Sequence, residues 1–198
     1  MSRGKDFRAP HCCNLHDPPR GPGLRYTVWV DLEDVSLAST AVSTVVTSTN
    51  DVPIVVERAM WWPGESSTWH EAHVSLGALQ SGFEWAIAEG QVGGATRDED
   101  TYILVANVDA VDGFADVTLY FEDGSSLTRS FPTTAKSRLN VHVRTEFPEA
   151  IGRRFGSRVK SREIPGQARP AVIVELAMYW NVGEQIFAAG SNMIATFQ

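Results

Sequence analysis

Three carboxylates, Glu57, Glu89 and Glu175, stand within or beside apolar runs, as the paired acids of a glycoside hydrolase would. That reaction needs two carboxyl groups about 5 to 10 Å apart across a cleft. Glu57 and Glu175, however, hold the same place in two copies of one pattern. Val55-Val56-Glu57-Arg58-Ala59-Met60-Trp61-Trp62 returns as Ile173-Val174-Glu175-Leu176-Ala177-Met178-Tyr179-Trp180, an offset of 118 (175 − 57). Acids at equivalent points of separate repeats belong to separate sites, so a shared catalytic cleft is not expected. The chain also shows no Ser-His-Asp order and no nucleophile elbow, and Gly90-Gln91-Val92-Gly93-Gly94 runs into acids rather than a helix. The expectation is a protein that is not an enzyme and needs no cofactor.

Two segments carry ligands a transition metal would accept. His11-Cys12-Cys13-x-x-His16 brings thiols and imidazoles close together, yet adjacent cysteines chelate poorly in the usual knuckle, and the Pro-rich surroundings offer no scaffold. His70-Glu71-Ala72-His73 lies in a strand-like alternation, which turns the two imidazoles to opposite faces. Neither segment is expected to hold a metal. The acids Asp98, Glu99, Asp100, Asp109, Asp112 and Asp116 read as loop residues, lack the spacing of a calcium loop, and are expected to be solvated.

The aromatics offer a different chemistry. Trp61, Trp69, Tyr179 and Phe187 fall in strand-like runs, and Trp61 and Tyr179 share a face with Glu57 and Glu175. A flat aromatic on an outer face stacks on a sugar ring, is buried in a neighbouring protein surface, or covers its own sheet. The candidate ligand or interface residues are therefore Trp61, Glu57, Trp69, Tyr179 and Glu175.

Positioning these residues falls to strands. Alternation of period two dominates, and no run of ten residues shows a 3.6 period, so the chain is expected to be all-β. Strands are predicted over 84–89, 102–108, 117–122, 127–131, 138–143, 156–161, 172–180, 185–189 and 192–197, with Asp123-Gly124 as a tight hairpin turn. In the repeated strand, Ile54, Val56, Arg58, Met60 and Trp62, matched by Val172, Val174, Leu176, Met178 and Trp180, should face a core. Arg58 is the one polar member of that face.

The repeat extends upstream. Arg25-Tyr26-Thr27-Val28-Trp29-Val30 aligns with Arg138-Leu139-Asn140-Val141-His142-Val143, and Glu33, Val46 and Ser48 align with Glu146, Val159 and Ser161, at an offset of 113 (143 − 30). The change of offset falls on Arg162 to Arg169, a polar stretch with Pro and Gly that suits a loop. The expected organisation is a disordered leader over 1–24, the C-terminal half of a module over 25–82, and a complete antiparallel β-sandwich module, jelly-roll or Ig-like, over 83–198. Half a sandwich cannot bury its own apolar face, so it must lean on the next module, pair with another chain, or be a fragment of a longer protein.

Composition excludes several classes. A net charge of −7, with 17 Lys and Arg among 24 acids, disfavours a nucleic-acid surface. Two adjacent cysteines give no disulfide framework. No apolar run has the roughly 20 residues needed to span a bilayer, and residues 1–24 hold no apolar stretch of signal-peptide type.

Trp85-Ala86-Ile87-Ala88-Glu89-Gly90, Tyr102 to Asn107, Val117 to Gly124 and Ala171 to Trp180 together resemble tandem β-sandwich modules of uncharacterised bacterial surface proteins. Residues 83–198 are also similar in element order to the sensory rhodopsin transducer family, a jelly-roll-like sandwich that assembles into oligomers. The first resemblance implies an extracellular or cell-surface structural and adhesion repeat, with neighbouring modules or other chains as partners. The alternatives are a carbohydrate-binding module that uses exposed aromatics on a glycan, and an oligomeric signalling adaptor, hence a homo-oligomer.

Overall fold

The computed structural model describes residues 25–38, 40–62, 71–182 and 185–198. The leader, with His11, Cys12, Cys13 and His16, lies outside the described residues, as do Trp69 and His70. The chain divides into two compact units, Met1–Val42 and Ser43–Gln198.

The second unit is an antiparallel β-sandwich. Its strands are β1 (Glu57–Trp62), β2 (Glu71–Leu76), β3 (Glu84–Ile87), β4 (Gln91–Val92), β5 (Asp98–Asn107), β6 (Gly113–Phe121), β7 (Ser126–Thr133), β8 (Ser137–His142), β9 (Arg153–Glu163), β10 (Val172–Val182), β11 (Gln185–Ile194) and β12 (Thr196–Phe197). One sheet runs β11-β10-β5-β8 and the other β12-β3-β9-β6-β7, with β4 paired to β9, while β1 and β2 form a separate two-stranded ribbon. Alternation put one side of each strand inward, as the period-two pattern requires. Ile103, Val105, Val117, Leu119, Val141, Val159, Val172 and Val174 are wholly buried between the sheets. The indole N–H of Trp85 donates to the Val172 carbonyl at 3.0 Å and ties the sheets together.

The Asp123-Gly124 hairpin forms as expected. Gly124 has φ +80°, its N–H donates to the Phe121 carbonyl, and the Asp123 carboxylate accepts from the Ser125 amide. Three expectations are corrected. The acids Asp98 to Asp100 belong to β5 and Asp116 to β6 rather than to loops, and Glu99 is buried rather than solvated. The strands expected over 185–189 and 192–197 are one long strand, β11, followed by the short β12. Ile54, placed on a core face by alternation, is 50% exposed, because the described β1 begins at Glu57.

The repeat is legible in backbone geometry. The first unit holds a short helix, α1 (Val30–Glu33), and a 3-10 turn at Val35–Leu37; the second holds α2 (Val143–Glu146) and a 3-10 turn at Pro148–Ala150, each displaced by 113 (143 − 30 and 148 − 35). Their hydrogen bonds correspond: Leu37 to Asp34 and Ala38 to Val35 in one, Ala150 to Phe147 and Ile151 to Pro148 in the other. The ribbon matches still more closely. β1 pairs with β2 as Glu57↔Leu76, Ala59↔Val74 and Trp61↔Ala72, and β10 pairs with β11 as Glu175↔Ile194, Ala177↔Asn192 and Tyr179↔Gly190, every partner displaced by 118 (175 − 57, 194 − 76). The bond that closes the ribbon recurs too, from Gly77 N–H to the Val56 carbonyl and from Ala195 N–H to the Val174 carbonyl.

Candidate functional site

The equivalent faces of the two ribbons meet different surroundings. On β10, Val172, Val174 and Leu176 enter the core, while Ile173, Glu175, Ala177 and Tyr179 point out of the sandwich. That outer face is covered by the β1–β2 ribbon, which runs alongside β11. Ala177 is only 3% exposed and the Glu175 side chain 13%. The ribbon applies the face that carries Val56, Arg58, Met60 and His73, each buried or half-buried. A face expected to look into its own core thus lies on the outer face of the β11-β10-β5-β8 sheet.

A polar cluster is sealed in this contact. Arg58 donates to the Glu175 carboxylate at 2.5 Å, and Asn192 donates to the same oxygen at 2.6 Å. Sharing between a guanidinium and an amide satisfies a carboxylate withdrawn from water. His73 is 8% exposed and faces Tyr179, with ring centroids 6.3 Å apart. Burial, and then the nearby Arg58 cation, hold its imidazole pKa below the usual value of 6.5. Burial also raises the Tyr179 phenol above its ordinary range, and burial with the adjacent Arg58 lowers that of Arg138.

Rings continue across the whole outer sheet. Phe187, Tyr179, Tyr102 and His142, on β11, β10, β5 and β8, follow one another at centroid distances of 5.0, 6.0 and 4.5 Å. Tyr102 lies nearly parallel to the His142 ring, at 7°. His142 is pinned between the Asp100 carboxylate at 2.8 Å and the Thr145 hydroxyl at 2.9 Å. An acid, an imidazole and a hydroxyl in line suggest a nucleophile relay, but Arg144 also reaches Asp100 and Asp98, at 3.5 and 2.6 Å, and satisfies that charge. Neither surface concavity described, one lined by Gln91, Asp123 and Arg153 and the other by Gly90, Tyr120 and Phe155, includes Thr145 or His142. The trio ties α2 to β5 and β8. Sequence reasoning missed Tyr102 and His142 because their stacking depends on the pairing of two distant strands.

The remaining acids are also engaged within the protein. Asp98 accepts from Arg144 and Asn181, Glu99 pairs with Arg97 at 2.7 Å, Asp109 caps the Ala171 amide, and Asp112 caps that of Ala135. Asp116 accepts from Ser130 and Arg162; burial opposes ionisation there, but these hydrogen bonds prevail and lower its pKa. Among the described residues, no group of three or more His, Cys, Asp or Glu is placed to hold a metal ion.

The outward face of the ribbon differs from its counterpart on β10. Trp61 is 40% exposed, Val74 54% and Leu76 64%, with Glu57, Ala59 and Ala72 also exposed beside them. Of the five candidate residues, Glu175 and Tyr179 lie together under the ribbon, Glu57 and Trp61 lie outside it, and Trp69 is outside the described residues. Trp61 and Tyr179 therefore do not line one groove.

These features define an all-β protein of the β-sandwich class, with a second ribbon laid on one outer sheet. No protein-family model matches the chain, and no curated protein resembles it in sequence. Solved structures similar to it include that of Thermotoga maritima 1070, with 11% identity and a TM-score of 0.49 over 61% of this chain and 97% of that one. They also include the Anabaena sensory rhodopsin transducer, with 18% identity and a TM-score of 0.39 over 50% of this chain and 86% of that one. Similarity at this level carries no argument about function. No helix among the described residues is long and apolar enough to cross a membrane.

Proposed function

We propose that this chain is a non-enzymatic structural module that assembles with other protein surfaces through the outward face of the β1–β2 ribbon. The observation that carries the reading is the exposed row Trp61, Val74 and Leu76, on a ribbon whose counterpart face in the second copy is covered. An apolar strip of this kind, bounded by Glu57, has the make-up of an interface core with a polar rim. Its partners are neighbouring modules or other protein chains. The setting is extracellular or at a cell surface, a reading supported by the resemblance of the Trp85–Gly90 and Ala171–Trp180 segments to bacterial surface modules. The engagement of Glu175 with Arg58 and Asn192 supports a structural rather than a catalytic role for that acid.

Sedimentation of the intact chain across a range of concentrations, alone and as Trp61→Glu, tests the proposal. Reversible association that is lost in the variant supports it. A strict monomer that also captures no protein through this face overturns it. Quenching of tryptophan fluorescence across a glycan array would instead favour carbohydrate binding, for which the separation of Trp61 from Tyr179 is unfavourable.

A further inference from the structure

The core-facing rows of the sandwich turn polar at one end. On β5 the inward row runs Val105, Ile103, Thr101 and Glu99, and the last two are 0% and 4% exposed. Thr101 Oγ1 donates to the Gln91 carbonyl at 2.6 Å and accepts from the Gln91 N–H at 3.1 Å, which fixes β4 across that end. Arg97 holds the Glu99 carboxylate at 2.7 Å and lies over the Trp180 ring at 5.3 Å. A carboxylate on a core-facing row is costly to bury, so the sandwich closes here in a polar mouth where an apolar plug would be more stable.

A concavity of about 480 Å³ opens at this mouth, bounded by the β3–β4 turn and the ends of β5, β6, β9 and β10. It adjoins a second of about 420 Å³, and Gln91, Glu122 and Arg154 line both. Each volume lies within the roughly 300–1,000 Å³ of small-molecule sites. Tyr120, 44% exposed, lines the larger one and stands opposite Gly156, so no side chain faces its ring across that pair. Gln91 is held at both ends of its amide: Oε1 accepts from Arg154 Nε at 3.0 Å, and Nε2 donates to the Gly93 carbonyl at 3.0 Å. The guanidinium of Arg154 is thereby fixed by one edge. The larger concavity carries Arg97 and Arg154 against Glu89, Glu99 and Glu122, a net charge of −1 (2 − 3), with Arg97 and Glu99 offsetting each other. Donors and acceptors side by side suit hydroxyl groups, which do both, better than a ligand of one charge. A flat ring beside them suits the apolar face of a pyranose.

We propose that this mouth binds an uncharged oligosaccharide, with Tyr120 as the stacking platform, Arg154 and Glu122 as hydroxyl partners, and Gln91 as the residue that positions Arg154. Trp61, Val74 and Leu76 do not line it, so the site stands whether or not the ribbon face is an interface.

The test is an NMR titration of the full ¹⁵N-labelled chain with cellotetraose, xylotetraose, maltotetraose and N-acetylchitotetraose. At least one should shift the amides of Gln91, Tyr120 and Gly156, with a Kd of about 0.1–5 mM, and leave the Trp61 indole unmoved. Tyr120 and Arg154 are exposed, so replacing them leaves the packing intact. Tyr120→Ala and Arg154→Ala should each weaken binding at least about tenfold, while Tyr120→Phe, which keeps the ring, stays within about threefold of the parent. No shift with any of these sugars at about 10 mM, shifts centred on Trp61, or binding that survives both alanine variants overturns the proposal. Binding confined to a heparin tetrasaccharide and abolished at about 0.5 M salt overturns it equally, because it marks an anion site.

Discussion

Arg58 and Glu175 form an ion pair at 2.5 Å across two repeats of the same sequence, and neither residue pairs with its own counterpart. Arg58 stands where the second copy has Leu176, and Glu175 stands where the first has Glu57. Where the second copy buries Leu176 in the core, the first copy directs Arg58 to the outer face of β10. The pair is part-buried, at 39% and 13% side-chain exposure, so its loss is felt mainly through the carboxylate left behind.

Arg58→Leu should destabilise the second unit by about 1–2 kcal/mol in urea unfolding, because Glu175 loses its guanidinium donor and, among the described residues, keeps the Asn192 amide. Arg58→Leu with Glu175→Leu should recover most of that loss, since removing both partners leaves no desolvated charge. A double variant as unstable as the sum of the single ones would show that the pair has no mutual role.

His73 predicts a pH dependence. Its folded pKa lies below the unfolded value of 6.5, through burial first and Arg58 second. Between the two values the unfolded chain binds more protons, so stability rises with pH in that window. The contribution is complete above 6.5 and is lost as pH falls toward the folded pKa. His73→Phe should flatten the slope in this range, as read by thermal unfolding between pH 5 and about 7.

Gly190 lies under the Tyr179 ring, and a Cβ there would meet Tyr179 Cδ1 at 2.7 Å and the Met178 carbonyl oxygen at 3.1 Å. Gly190→Ala should displace the ring and loosen the ribbon, at a cost of about 1–3 kcal/mol, with faster exchange in β2. The counterpart position in the first copy is already alanine, Ala72, opposite Trp61. Ala72→Gly should therefore change stability only by roughly the β-strand cost of glycine, under about 1 kcal/mol.

Trp61→Glu should cost no more than about 1–2 kcal/mol in unfolding, because Trp61 is 40% exposed and outside the core. Its effect should be on association, measured as the sedimentation coefficient at high concentration. A large loss of stability without a change in association would place Trp61 in the fold rather than at an interface.

Alternation made the sandwich strands readable, since the inward rows Ile103, Val105 and Val117, Leu119 recur every second residue. The repeat was readable as well, and it extends to strand register and to the turns after α1 and α2. The ribbon's resting place was not readable, because it depends on contacts between residues more than a hundred positions apart. Arg58, the one charge on an apolar face, was the signal. Asp98 to Asp100 read as a loop because acids are uncommon in strands. Their partners Arg144, His142 and Asn181 arrive from α2, β8 and β10, which local pattern cannot foresee. The gap expected at Gly190-Ser191 is instead part of one strand, in which Gly190 leaves room for the Tyr179 ring.

During synthesis β1 and β2 leave the ribosome before β5, and β10 and β11 emerge last. β5 therefore first meets a ribbon whose register is that of its eventual partner, and fewer residues separate it from β1 than from β10. The shorter loop costs less entropy to close, which favours the early encounter. Val172 and Val174 match Ile54 and Val56 of the first copy, so the difference lies at Leu176, which is buried beside β5 where β1 carries Arg58. Fidelity of folding in this chain thus turns on a competition between two templates of the same register, in which the later one offers a leucine where the earlier offers an arginine.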